Sequence, residues 1–64
     1  MVTINGSPEA CAGMTLSAWL EQAGYTTGRI AVERNGDIVP RTQYADTVLQ
    51  DGDSVEVVRF VGGG

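Results

Sequence analysis

Residues 51–61 read Asp51-Gly52-Asp53-Ser54-Val55-Glu56-Val57-Val58-Arg59-Phe60-Val61, and Gly62, Gly63 and Gly64 follow. Asp-Gly-Asp is a turn, because Gly supplies a positive φ and Asp bonds its own backbone. Beyond it, Val57-Val58 and Phe60-Val61 put apolar side chains on both alternating faces of an extended run. A strand apolar on both faces belongs between neighbours in a sheet, so residues 54–61 are expected to form a central strand. The three glycines carry no side chain to pack. They are expected to hang as a flexible C-terminal tail, 62–64, from a single domain over 1–61.

Upstream, Val2-Thr3-Ile4 alternates as a half-buried strand does. Asn5-Gly6 marks a tight turn, which Ser7-Pro8 is expected to prolong. Glu9-Ala10-Cys11 is then expected to return as a short second strand. Thr15 is a good helix N-cap. Leu16, Trp19, Leu20 and Ala23 fall at i, i+3, i+4 and i+7 and share one helical face. Met14 and Trp19 have the spacing of a hydrophobic staple. Gly24 stands where a helix ends in a left-handed residue.

From Arg29 to Arg34, Ile30 and Val32 recur at period two. Asn35-Gly36 turns the chain into Asp37-Ile38-Val39. Pro40 lacks the amide that a central strand needs, so this piece is expected at an edge. Residues 41–49 are a less regular connection whose apolar members Tyr44, Val48 and Leu49 are expected to cover the end of the core. The fold class expected from this order is α+β: a mixed β-sheet packed against one main α-helix.

Composition narrows function. With 64 residues the chain is one domain, too small to hollow out a walled catalytic pocket. Its net charge of −4 argues against nucleic acid, which needs clustered cations. The acidic surface serves either solubility or steering toward a basic partner. There is no histidine and no lysine, which removes the commonest general base, the commonest zinc ligand, a P-loop and a lysine Schiff base. No long apolar run follows Met1, so neither a signal peptide nor a membrane span is expected. The lone Cys11 has no internal disulfide partner, consistent with a cytoplasmic protein. Without a histidine to activate it, Cys11 is read as core rather than nucleophile. Trp19, on the apolar stripe, is read as core rather than interface anchor. Asp51 and Asp53 are read as turn residues rather than metal ligands.

Three stretches carry a resemblance when taken together. Residues 30–41 run Ile-Ala-Val-Glu-Arg-Asn-Gly-Asp-Ile-Val-Pro-Arg, and residues 49–58 run Leu-Gln-Asp-Gly-Asp-Ser-Val-Glu-Val-Val. The chain then ends Val61-Gly62-Gly63-Gly64. With the Asn5-Gly6 opening and the helix over 16–23, this resembles the ThiS family of the ThiS/MoaD superfamily along the full length. That resemblance implies a β-grasp, or ubiquitin-like, fold. It implies a sulfur carrier for thiazole formation in thiamin biosynthesis that is a protein cosubstrate rather than an enzyme, with no cofactor or metal.

The resemblance further implies a site at the terminus. An α-carboxyl is ionised at pH 7 and is a poor electrophile until activated. A partner adenylating enzyme of the ThiF type is expected to adenylate Gly64. A persulfide donor then supplies sulfur, and the Gly64 thiocarboxylate passes it to a ThiG-type thiazole synthase. Gly62 and Gly63 are expected to be recognised as the tail threads a narrow channel. If alternation holds, Val58 and Phe60 share one face of the last strand, opposite Val55 and Val57. Val58 and Phe60 are candidate docking residues, with Ile38 joining them and Arg59 available to an acidic partner surface. Rival readings are a carrier for molybdopterin or cysteine formation, a ubiquitin-like modifier, and an interaction module with an idle tail.

Overall fold

The computed structural model describes residues 1–60. The expected tail over 62–64, its flexibility and the boundary at residue 61 lie outside the described residues. Chain order is β1 (Val2–Ile4), β2 (Ser7–Glu9), α1 (Leu16–Gln22), a 3-10 turn at Thr27–Arg29, β3 (Ile30–Arg34), β4 (Asp37–Val39), a second 3-10 turn at Arg41–Gln43, and β5 (Ser54–Arg59). The five strands form one sheet in the order β2-β1-β5-β3-β4. β1 runs parallel to β5, whereas β1–β2, β3–β4 and β3–β5 are antiparallel. This is the expected mixed α+β, β-grasp arrangement, with the last strand at its centre.

Both hairpins close on Asn-Gly. Asn5 and Asn35 each take φ 52°, and Gly6 and Gly36 follow at 82° and 88°. Two positive φ values in succession give the turn whose twist matches that of the strands it joins. The first turn is therefore complete at Gly6, and β2 begins at Ser7, earlier than expected. Ser7-Pro8 does not prolong the turn; Pro8 pairs with Thr3 inside the hairpin. A proline is tolerated there because β2 is an edge strand and need not donate outward. Cys11 lies beyond the strand, 3% exposed in the core.

Every N–H of the first helical turn has a partner, which answers the usual deficit of helix ends. Leu16 N–H donates to Thr47 C=O at 2.7 Å, Ser17 N–H to Tyr44 C=O at 3.0 Å and Trp19 N–H to Thr15 C=O at 3.1 Å. Ala18 N–H donates to Thr15 Oγ1 at 3.2 Å, as the N-cap reading requires. The irregular segment over 41–49 thus caps the helix. At the other end, Gly24 N–H donates to Glu21 C=O and Tyr25 N–H to Leu20 C=O, at 3.1 and 2.9 Å. Gly24, at φ 86°, closes this Schellman pair.

Leu16 and Leu20 bury completely against Val2, Ile4, Ile30, Val32, Val55 and Val57, with Tyr44 and Leu49 closing one end. Met14 and Trp19 pack at the margin of this cluster. Two expected core members are exposed. Ala23 is the helix C-cap, already past the buried stripe. Val48 is 41% exposed: Thr47 accepts from Leu16 and Leu49 bonds Met14 and Gly13, an antiparallel bridge that sets Val48 opposite Thr15 while Leu49 turns into the core.

Candidate functional site at the end of the central strand

The chain leaves the sheet from β5, and three devices fix how it leaves. The first is the register with β3: Ala31 lies opposite Val58 and Ile30 opposite Arg59. Phe60 N–H donates to Arg29 C=O at 2.8 Å, carrying the ladder one residue past the strand. The second is on the β1 side, where Asn5 continues the ladder with its side chain. Its Oδ1 accepts Val57 N–H at 2.7 Å, and its Nδ2 donates to Val57 C=O at 3.3 Å. An amide side chain here stands in for a peptide group after β1 has ended.

The third device is at the root of β5. Asp53 is 7% exposed and accepts from Arg34 Nε at 2.8 Å, Asn35 Nδ2 at 3.0 Å and Gln50 N–H at 2.9 Å. Asn35 Oδ1 accepts Ser54 N–H at 2.9 Å. Burial alone would raise the Asp53 pKa. The hydrogen bonds from Gln50, Asn35 and Arg34, with the Arg34 charge, outweigh burial and hold it below the usual carboxylate value. Asp53 is thus committed to the fold as a turn residue, as read from sequence. Its tie to the β3–β4 turn was missed, because only tertiary pairing brings residues 34, 35 and 53 together.

Alternation along β5 divides its side chains as expected. Val55 and Val57 face the helix and are buried; Val58 and Phe60 face outward, each 56% exposed. Ile38 is 66% exposed on the same outer face, opposite Glu33, which in turn lies opposite Glu56. The outer face therefore presents apolar groups together with two carboxylates. Arg59 is not part of it. It lies on the helix side, with its guanidinium 4.5 Å from the ring centre of Tyr25. Tyr25 is braced by Trp19 at 6.0 Å between ring centres. Trp19, read from sequence as core, is half-buried at the margin of the core.

Cys11 is buried, and desolvation, followed by the Glu9 charge, pushes its thiol pKa up. A thiol held protonated makes a poor nucleophile. The described residues thus place no activated nucleophile beside a base. What they do place is a central strand that ends beside an exposed apolar face. Gly62, Gly63 and Gly64, the residues expected to be recognised and modified, lie outside the described residues.

The ThiS family model matches residues 2–64, and so includes those glycines. The chain belongs to the ThiS family. A ThiS-family relative from Thermus thermophilus, named sulfur carrier protein ThiS, is 39% identical over 64 residues, covering 100% of both chains. The protein of the same name from Escherichia coli is 36% identical over 56 residues, 88% of this chain and 85% of that one. The thiazole synthase of Paramagnetospirillum magneticum is 44% identical over 64 residues, 98% of this chain. This chain spans 20% of that thiazole synthase. The crystal structure of the thiamine biosynthesis protein ThiS from Geobacter metallireducens superposes with a TM-score of 0.79 at 30% identity, covering 98% of this chain and 97% of that one. Among the described residues no helix is long and apolar enough to cross a membrane.

Proposed function

We propose that this ThiS-family chain is a sulfur carrier for thiazole formation in thiamin biosynthesis, acting in the cytoplasm as a protein cosubstrate with its reactive group at Gly64. The observation that carries the reading is the family match running through residue 64. Relatives of matching length bear the name sulfur carrier protein ThiS, which supports the same role here. Two proteins named thiazole synthase contain a segment 44% and 45% identical to this chain, which supports a ThiG-type synthase as the acceptor.

The chemistry runs in three displacements. A Gly64 carboxylate oxygen attacks the α-phosphorus of ATP in a ThiF-type enzyme; pyrophosphate leaves and an acyl adenylate forms. The terminal sulfur of a persulfide donor attacks the acyl carbon and AMP leaves. A second thiol cleaves the S–S bond, taking up the donor sulfur as a disulfide and leaving the thiocarboxylate. Gly62 and Gly63 serve by having no Cβ, so channel walls close directly on the backbone. Residues 62–64, extended, reach about 10 Å. Val58, Phe60 and Ile38 form the apolar docking face, and Glu33 and Glu56 among them favour a partner surface that is apolar and basic.

The test is intact mass after incubation with a ThiF-type enzyme, ATP and a sulfur donor. The chain gains about 16 Da, sulfur for oxygen, at its ionised terminal carboxyl. A chain lacking Gly64, or extended by one residue, gains nothing. An equal gain by either variant would refute the proposal.

A further inference from the structure

Three of the four arginines gather at the end of the molecule from which the tail departs. Arg29 closes the 3-10 turn at Thr27–Arg29. Arg41 brings Nη1 to 3.4 Å from where a Cβ on Gly28 would stand, against the same turn. Arg59 precedes Phe60, which is bonded to the Arg29 carbonyl. Among the described residues the ion pairs are Arg34 with Asp53 and the Met1 amino group with Asp51. The arginine side-chain hydrogen bonds there are those of Arg34. In a chain with eight acidic residues and four basic ones, three guanidiniums thus have no ion pair or side-chain hydrogen bond among the described residues.

Two of them share a recess. Arg29 and Arg59, with Gly24, Thr26, Ile30 and Phe60, line a cavity of about 220 Å³ on the helix side of β5. It lies on the opposite face from Val58 and Ile38. Arg59 is held against Tyr25, so its guanidinium is partly ordered before any ligand arrives and loses less freedom on pairing. That contact uses no guanidinium N–H in a hydrogen bond, and such donors suit a planar acceptor. Ile30 supplies an apolar wall, and Phe60, past the strand end, borders the recess at its rim.

We propose that this recess takes an Asp or Glu side chain from the adenylating enzyme that receives the tail, seated between Arg29 and Arg59. The inference rests on the carrier reading above. A protein carboxylate suits the site better than a free anion. An exposed arginine pair binds a small ion weakly in water, whereas a partner that covers Phe60 desolvates the pair. The chain then docks by opposite signs on its two sheet faces: Glu33 and Glu56 outside, Arg29 and Arg59 inside. Such opposite charges on the two faces set the rotation of the molecule about its approach to the partner.

Association of the full chain with a ThiF-type enzyme, followed at low and high salt, tests this. R29E/R59E is expected to associate about tenfold more slowly at low salt and to lose the salt dependence of the wild type. R29K/R59K, which keeps the charge, stays within a fewfold of wild type. A10E, an exposed change at the far end of the sheet, associates as wild type does. Thermal unfolding of each variant checks the fold. Equal association by wild type and R29E/R59E would overturn the inference. So would inorganic phosphate at millimolar concentration shifting the Arg29 and Arg59 amide resonances and slowing association, which would make the site one for a free anion. A wild-type chain that the enzyme never adenylates would overturn the carrier reading itself. An adenylated wild type with an unimpaired R29E/R59E overturns this inference alone.

Discussion

Asn5 reaches across 52 residues to hold both backbone groups of Val57, accepting its N–H at 2.7 Å and donating to its C=O at 3.3 Å. The same residue forms the first hairpin turn at φ 52°. One side chain therefore closes β1–β2 and extends the parallel ladder of β5. Asn5→Gly separates these roles, since glycine keeps the turn and loses the two bonds. It is expected to cost about 1–3 kcal/mol, the loss of two part-buried hydrogen bonds offset slightly by relief at positive φ. Urea unfolding measures this. A variant as stable as wild type would show that the amide bridge contributes nothing.

Asp53 makes stability depend on acid. Burial opposes its ionisation, but bonds from Gln50, Asn35 and Arg34 hold its folded pKa below the ordinary carboxylate value. A carboxyl with a depressed folded pKa contributes stability that is present above the unfolded pKa, near 3.9. That contribution is lost as pH falls through the folded value. D53N is expected to unfold about 2–4 kcal/mol more easily at pH 7, because Arg34 loses its partner and Asn must offer a donor where acceptors are needed. Below about pH 4 the gap between variant and wild type should narrow. Denaturant titrations at pH 7 and at pH 3 provide the comparison.

Val58 and Phe60 sit outside the core, each 56% exposed. V58S/F60A is expected to leave unfolding free energy within about 0.5 kcal/mol. The same variant should weaken binding to the adenylating enzyme about tenfold or more if these residues anchor the interface. Isothermal titration against that enzyme decides it, with I38S as a third variant on the same face.

Gly24 ends α1 at φ 86°, and an added Cβ there would meet nothing within 4 Å. G24A therefore tests backbone torsion alone. An expected loss of about 1 kcal/mol in chemical denaturation follows from forcing alanine into the left-handed region.

Much of this architecture is legible in residue order because local and tertiary preferences agree. Asn5-Gly6 and Asn35-Gly36 fix both hairpins. Thr15 and Gly24 bracket the helix. The paired apolar residues at the end of β5 identify the middle of the sheet, and period-two alternation separates Val58 and Phe60 from Val55 and Val57. Where local propensity competes with register, the reading fails. Ser7 and Pro8 are turn formers by type, yet the two-residue turn before them has already closed and edge pairing claims them. Val48 belongs by hydropathy to the core, but the antiparallel bridge of Val48 with Thr15, with the bonds of Thr47 and Leu49 on either side, sets the backbone against it. Arg59 stacks on Tyr25 because the chain after the helix brings an aromatic ring under the end of β5. Nothing within six residues of Arg59 announces that.

The parallel pairing of β1 with β5 also has a mechanical side. Traction applied to the C-terminal end of β5, as when another protein draws the glycines inward, acts along the strand axis. The hydrogen bonds to β1 and β3 run across that axis, so many must slide together in shear, where a hairpin at a sheet edge would peel one rung at a time. Proline-bearing β2 and short β4 lie outside the line of force. The domain can thus be tugged by its end without coming apart, as the proposed carrier role would require.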